Sequence, residues 1–302
     1  MIENKELSFQ EENDEILSKV LENIFFKAFR SPRGEREKDY SKYLGVELYV
    51  TPECNKYCSY CYLCKNKDEL YPKELRDETT ILNNLNILLK YFIEQNFMLT
   101  NLDIFSGEIW DRDFGIMILE TILENVKKGL SVRRIMIPSN FNWFSNECYR
   151  EKIVKIRNLF LEYDVVLMFS CSDDGYYLDA IERPLINKDN TEEKTLEYYD
   201  KLFKFCKEMN YGFHPMVAST SIKHWKENFT WWMENLNKYG LGQLNHIMFL
   251  EVRNDNWTEE NIIDYIDYLK YVFDYYIKNV FDNDLNTVCD FMTNGITTKK
   301  LN

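Results

Sequence analysis

The 302-residue chain is short of glycine and proline, with 10 and 6 respectively. Average usage of about 7% would give roughly 21 glycines, so collagen-like, low-complexity and linker-rich architectures are excluded. Positive charge is also scarce. Against 50 Asp and Glu stand 37 Lys and Arg, a formal net charge of −13. A general nucleic-acid binder would carry a basic footprint, so that class is excluded too. No run of apolar residues is long enough to span a membrane as a helix. The N-terminal stretch MIENKELSFQEENDEILSKV is acidic and lacks the apolar core of a secretory signal. Without export, thiols stay reduced; the protein is expected to be cytoplasmic, and its cysteines to serve something other than disulfides. Histidine is confined to His214, His224 and His246, which show no metal-ligand spacing.

What the chain has in quantity is apolar and aromatic side chains, 45% and 16% of its residues. That is enough for one large core, and single α/β barrels reach this length. Strand-like and helix-like patterns alternate along it. Val46–Thr51, Leu102–Phe105, Arg134–Pro138, Val165–Ser170, Phe213–Ala218 and His246–Val252 read as strands. Thr79–Gln95, Phe114–Lys127, Glu147–Glu162, Glu192–Met209, Lys226–Lys238 and Thr258–Lys278 read as helices, the last with Thr258 as N-cap. Val165–Ser170 is a continuous apolar run of the kind buried on both faces. Strand–helix units in strict alternation specify an α/β fold with a parallel sheet and right-handed crossovers. Periodicity leaves both an open sheet and an incomplete barrel available. Residues 1–45 stand outside the alternation: Glu15–Phe29 has the pattern of an amphipathic helix, Arg30–Lys42 that of a charged connector. The expected division is an N-terminal helical extension over 1–45, an α/β body over 46–280 and a short tail over 281–302.

Ligands of parallel α/β sheets gather at the carboxyl ends of the strands. Those ends carry, in order, a cysteine loop, Ser106-Gly107-Glu108, Ser139-Asn140, Ser172-Asp173-Asp174-Gly175, Ser219-Thr220, and Glu251 with Arg253. All are polar, as solvated strand ends also are. Cys54, Cys58, Cys61 and Cys64 crowd together, whereas Cys148, Cys171, Cys206 and Cys289 are scattered and read as structural. Cys54, Cys58 and Cys61 form C-x₃-C-x₂-C directly after the first strand. Three thiolates can hold three irons of a cubane cluster and leave the fourth iron open to another ligand. Cys64 could instead complete a four-cysteine site. The protein would then be a non-catalytic zinc protein or an electron carrier with a closed cluster.

The segment Cys54-Asn55-Lys56-Tyr57-Cys58-Ser59-Tyr60-Cys61-Tyr62 resembles the C-x₃-C-x-Φ-C signature of the radical S-adenosylmethionine (SAM) superfamily, with Tyr60 as the aromatic Φ. The resemblance extends over roughly residues 46–280. It implies a partial (β/α)₆ TIM-like barrel, and one [4Fe-4S] cluster on Cys54, Cys58 and Cys61 with SAM at the open iron. Reductive cleavage of SAM to a 5′-deoxyadenosyl radical, hydrogen abstraction from a substrate, and an electron donor such as flavodoxin or ferredoxin are implied with it. The family's second strand ends Gly-Gly-Glu-Pro around the SAM amino group; here Ser106-Gly107-Glu108-Ile109 departs at two of the four positions. The third strand's Thr-Asn-Gly is matched in part by Ser139-Asn140-Phe141. The fourth ends in the S-x-D-G form of peptide-modifying relatives, as Ser172, Asp174 and Gly175. By the resemblance Ser172 touches the SAM ribose, and Arg183 meets the methionyl carboxylate, a task suited to a bidentate guanidinium. The stretch GFHPMVAST has no clear counterpart of the family's adenine motif. A peptide or protein substrate, or a small molecule, is expected. Cys171, on the same rim, could donate a hydrogen atom to a substrate radical, although a structural thiol is the plainer reading. Peptide-modifying relatives often carry further clusters on a C-terminal extension; after Cys206 only Cys289 remains here, so one cluster is expected.

Overall fold

A computed structural model of the chain describes residues 42–73, 76–110, 112–184, 194–241, 247–252, 255–276 and 278–279, without the side chains of Cys64 and Leu70. The expected helix Glu15–Phe29, most of the connector after it, the C-terminal tail, His246, Arg253 and Cys289 lie outside the described residues. The chain divides into two compact units. Asp39–Tyr268 holds every described strand. Of the other unit, Met1–Lys38 with Leu269–Asn302, the described part is the end of one helix and residues 278–279.

The strands are β1 (Tyr43–Tyr49), β2 (Met98–Phe105), β3 (Ser131–Val132), β4 (Arg134–Ser139), β5 (Val166–Cys171), β6 (Gly212–Phe213), β7 (Met216–Val217) and β8 (Leu250–Glu251). The helices are α1 (Tyr62–Lys65), α2 (Lys67–Leu70), α3 (Glu78–Glu94), α4 (Asp113–Lys127), α5 (Glu147–Leu161), α6 (Asp179–Glu182), α7 (Leu196–Met209), α8 (Trp225–Lys238) and α9 (Glu259–Tyr276). Every strand pairing is parallel: β1-β2-β4-β5-β6 in one sheet, with β3 beside β2, and β7 with β8 in another.

The expected strand Phe213–Ala218 is cut in two at His214-Pro215, because proline has no N–H to give to β5. The His214 N–H still reaches Cys171 C=O at 2.7 Å, and the Met216 N–H turns to the Asp174 carboxylate at 2.7 Å. On the other side the ladder continues through the break. The N–H groups of Met248, Leu250 and Val252 donate to the carbonyls of Phe213, Pro215 and Val217 at 3.0, 3.1 and 3.0 Å. The six expected strand–helix units are therefore present in chain order, a mixed α/β fold on a parallel sheet.

Several boundaries differ from expectation. β1 starts at Tyr43, inside the stretch assigned to the N-terminal extension, and β2 starts at Met98 rather than Leu102. Polar Thr100, Asn101 and Asp103 interrupt the apolar pattern of β2, yet Leu99, Leu102 and Ile104 are fully buried. β5 is not buried evenly on both faces: Leu167, Phe169 and Cys171 are buried while Val166, Met168 and Ser170 are half-buried. Helix starts follow local chemistry. Asp77, Asn146 and Thr195 accept from the N–H groups of Thr80, Tyr149 and Tyr198, and Thr258 with Asn261 caps α9 reciprocally. Among the described residues no helix is long and apolar enough to cross a membrane.

Candidate functional site

The loop after β1 is held on both sides by backbone. Gly107 N–H donates to Thr51 C=O and Glu108 N–H to Glu53 C=O, each at 2.7 Å. A Cβ on Gly107 would lie 1.9 Å from the Glu53 carbonyl oxygen, so only glycine permits this approach. Across the loop, Tyr57 and Ser59 N–H groups donate to the carbonyls of Pro184 and Glu182 at 2.8 and 2.9 Å. The side chains add Lys56 Nζ to Asp179 at 2.6 Å, Tyr60 hydroxyl to Asp174 at 2.5 Å, and the Ser59 hydroxyl to the Glu182 carboxylate.

A cavity of about 440 Å³ opens at the carboxyl ends of the strands, within the range of small-molecule sites. Cys54, Cys58 and Cys61 line it together with Tyr60, Ser106, Gly107, Glu108, Asn140, Ser172 and Arg183. The rest of the wall includes Lys56, Pro138 and, from β7, β8 and the residue after it, Met216, Leu250, Glu251 and Val252. Burial pushes the Cys54 thiol up to about 12 and the Cys58 thiol up to about 11, the Arg183 guanidinium drawing Cys58 back in part. Without metal these groups are neutral thiols, so a metal must displace their protons to bind.

Asp174, expected in the site, does not line the cavity. It stands one layer behind, fully buried, accepting from Tyr60, from Arg183 Nε at 2.9 Å and from Met216 N–H. Asp173 also turns away, to Lys194 at 2.5 Å and the Tyr199 hydroxyl at 3.0 Å. Arg183 reaches the cavity, but its Nε is already engaged by Asp174. Glu108 is 3% exposed and accepts from Asn140 N–H at 2.5 Å, the Ser139 hydroxyl at 3.1 Å and Trp110 N–H at 3.3 Å. Its carboxylate joins the ends of β2 and β4, and the residue is part of the cavity wall. Asn140 binds Asn55 of the cysteine loop at 2.7 Å. Phe141, where the family pattern has glycine, takes a left-handed φ of 60°, a conformation costly for a bulky residue. The Ser219 N–H donates to Asp255 at 2.6 Å and the Thr220 hydroxyl to Glu182 at 2.7 Å, and neither residue lines the cavity.

Sequence reasoning passed over Lys56, Asp179, Glu182 and Lys194. Lys56, Asp179 and Glu182 are buried and Lys194 is largely so, with Lys194 Nζ 2.9 Å from the Asp179 carboxylate. Burial pushes Asp179 upward, but Lys194, Lys56 and Arg183 outweigh it and hold the carboxyl below its ordinary value. The only sequence signal was a lysine inside the cysteine motif. Among the other thiols, Cys171 and Cys206 are fully buried, in keeping with a structural role, whereas Cys148 is exposed on α5 and is not a core thiol.

Among the described residues no three His, Cys, Asp or Glu side chains converge as a single-ion site requires. The three thiols instead share one cavity, as a multi-iron cluster with one thiolate per iron demands. Three thiols on one cavity wall are a donor set that fits that group.

No family model matches the chain, and no curated protein matches it. Solved structures do. Hexahistidine-tagged anSMEcpe with bound AdoMet is similar at a TM-score of 0.54 and 15% identity, over 79% of this chain and 62% of that one. Native anSMEcpe with bound AdoMet and Cp18Cys peptide is similar at 0.52 and 15%, over 83% and 62%. This chain thus spans about 62% of the length of those it matches. The likeness shows a shared fold.

Proposed function

We propose that this protein is a radical SAM enzyme in which Cys54, Cys58 and Cys61 hold a single [4Fe-4S] cluster next to bound SAM. The observation that carries the reading is the meeting of these thiols with Ser172, Asn140 and Arg183 around one cavity in a fold shared with AdoMet-bound structures. When bound, the cluster supplies the electron that splits the SAM carbon–sulfur bond and frees a 5′-deoxyadenosyl radical for hydrogen abstraction. The chain's own residues bind and orient. Arg183, steered by Asp174 through Nε, offers its remaining N–H groups to the methionyl carboxylate. Ser172 takes the ribose, and the Ser106–Glu108 turn takes the amino group. Tyr60 hydrogen-bonds Asp174 and fixes the aromatic wall. Met216, Leu250 and Val252 form an apolar side that excludes water from the reacting bond. In this reading the six strands curl as a partial barrel, a flavodoxin or ferredoxin delivers the electron in the cytoplasm, and a peptide or protein segment is the substrate. The peptide is supported by the anSMEcpe complex that holds one.

Anaerobic reconstitution with iron and sulfide, then dithionite and SAM, tests the proposal. The wild type is expected to bind four irons per chain and release 5′-deoxyadenosine, and Cys58→Ala to release none. One equivalent of zinc lost on Cys64→Ala, or equal product from Cys58→Ala, overturns it.

A further inference from the structure

Four of the five residues between the three site cysteines are held by a single stretch of chain. Lys56, Tyr57, Ser59 and Tyr60 bind Asp179, Pro184, Glu182 and Asp174. All four partners lie in the turn and short helix that follow β5. Lys56 is the unusual member. It is 2% exposed, whereas lysine is almost never fully buried unless it is paired. Its ammonium sits midway between Cys54 and Cys58 in sequence, and its own N–H donates to Cys54 Sγ at 3.4 Å.

Removing one partner of a buried ion pair ordinarily strands the other charge. Asp179 would not be stranded. Lys194 Nζ lies 2.9 Å from the same carboxylate oxygen that takes Lys56, and Arg183 Nε lies 3.9 Å from the other. Loss of the Lys56 ammonium therefore leaves Asp179 with two cations and removes one of the ties that hold the loop.

We propose that Lys56 is a positioning residue whose ion pair with Asp179 clamps the cysteine loop to the Asp174–Pro184 segment and presets the three thiols for metal. The proposal rests on reading that loop as metal-binding. Partners that orient metal ligands are worth about 10–100-fold in metal affinity, and Lys56 ties down the loop that carries all three.

The test compares wild type, Lys56→Met, Lys56→Arg and the surface control Lys152→Met after reconstitution. Iron release to a ferrous chelator and the electron paramagnetic resonance signal of the dithionite-reduced protein are read. Lys56→Met is expected to keep the wild-type near-ultraviolet circular dichroism, to release iron about tenfold faster, and to give a broadened resonance. Lys56→Arg restores both and Lys152→Met changes neither. A wild-type release rate and line shape in Lys56→Met, or no rescue by Lys56→Arg, overturns the clamp. Should Lys56→Met fail to fold, Lys56→Gln, which retains a donor, takes its place under the same criteria. If the wild type takes up zinc instead of a cluster, the proposed function fails while zinc release from the same variants still decides on the clamp. Uptake of no metal by the wild type overturns both.

Discussion

Two water-poor regions of this protein are built on opposite principles. Against the helix-covered face of the sheet, Phe169 meets Trp110, Phe141, Trp143 and Tyr211 at ring-centroid distances of 5.4–6.1 Å. Behind the cysteine loop, Lys56, Arg183 and Lys194 interleave with Asp173, Asp174 and Asp179 at 2.5–3.9 Å. Apolar burial is non-directional and grows with area, so the first region contributes stability and tolerates small shifts. Buried ion pairs roughly balance desolvation against attraction, so the second adds little net stability but fixes distances and angles. The molecule places its candidate site on the second.

The comparison breaks if core and site respond alike to mutation. Phe169→Ala is expected to have the largest effect, a loss of about 4 kcal/mol in urea unfolding. The thiol reactivity of Cys54, Cys58 and Cys61 in the still-folded protein should stay unchanged. Asp174→Ala strips Arg183 of its closest partner and leaves the Tyr60 hydroxyl without its acceptor. A loss of about 3 kcal/mol follows for a broken buried pair, this time with altered labelling of the site thiols and weaker SAM binding by calorimetry. Equal thiol labelling in the two variants would erase the distinction.

His214 sharpens the border between the regions. Burial, aided by the nearby Arg183 charge, pushes its imidazole down to about 4. The folded state keeps it neutral, while the unfolded chain protonates it near its ordinary 6.5. Stability is therefore full above that value and falls as pH drops toward 4, by at most about 3 kcal/mol. His214→Gln should flatten the urea midpoint between neutral and mildly acidic pH relative to wild type; parallel slopes would refute this. The smallest effect belongs to Lys152→Met. Its pair with Asp113 is exposed at 3.1 Å, and its loss should shift stability by less than about 1 kcal/mol.

The parallel strand–helix alternation and its order were legible because they depend on residues a few positions apart. So was the N-cap Thr258, whose partner is three residues on. Cys54, Cys58 and Cys61 were legible for the same reason: short loops keep their members together whatever the fold does. The start of β2 was hidden by polar residues on one face, and the split at Pro215 showed only as a strand with a proline in it.

Sequence by itself determined an acidic α/β chain with a three-thiol loop at a strand end. Tertiary structure alone decided that Asp174 and Asp173 turn from the cavity into the ionic layer, and that Gly107 is required by the backbone of Glu53. It also decided that Lys56 finds Asp179 at a separation of 123 residues. A local pattern is set by the covalent chain, whereas the partner of a buried charge is set by which strands become neighbours.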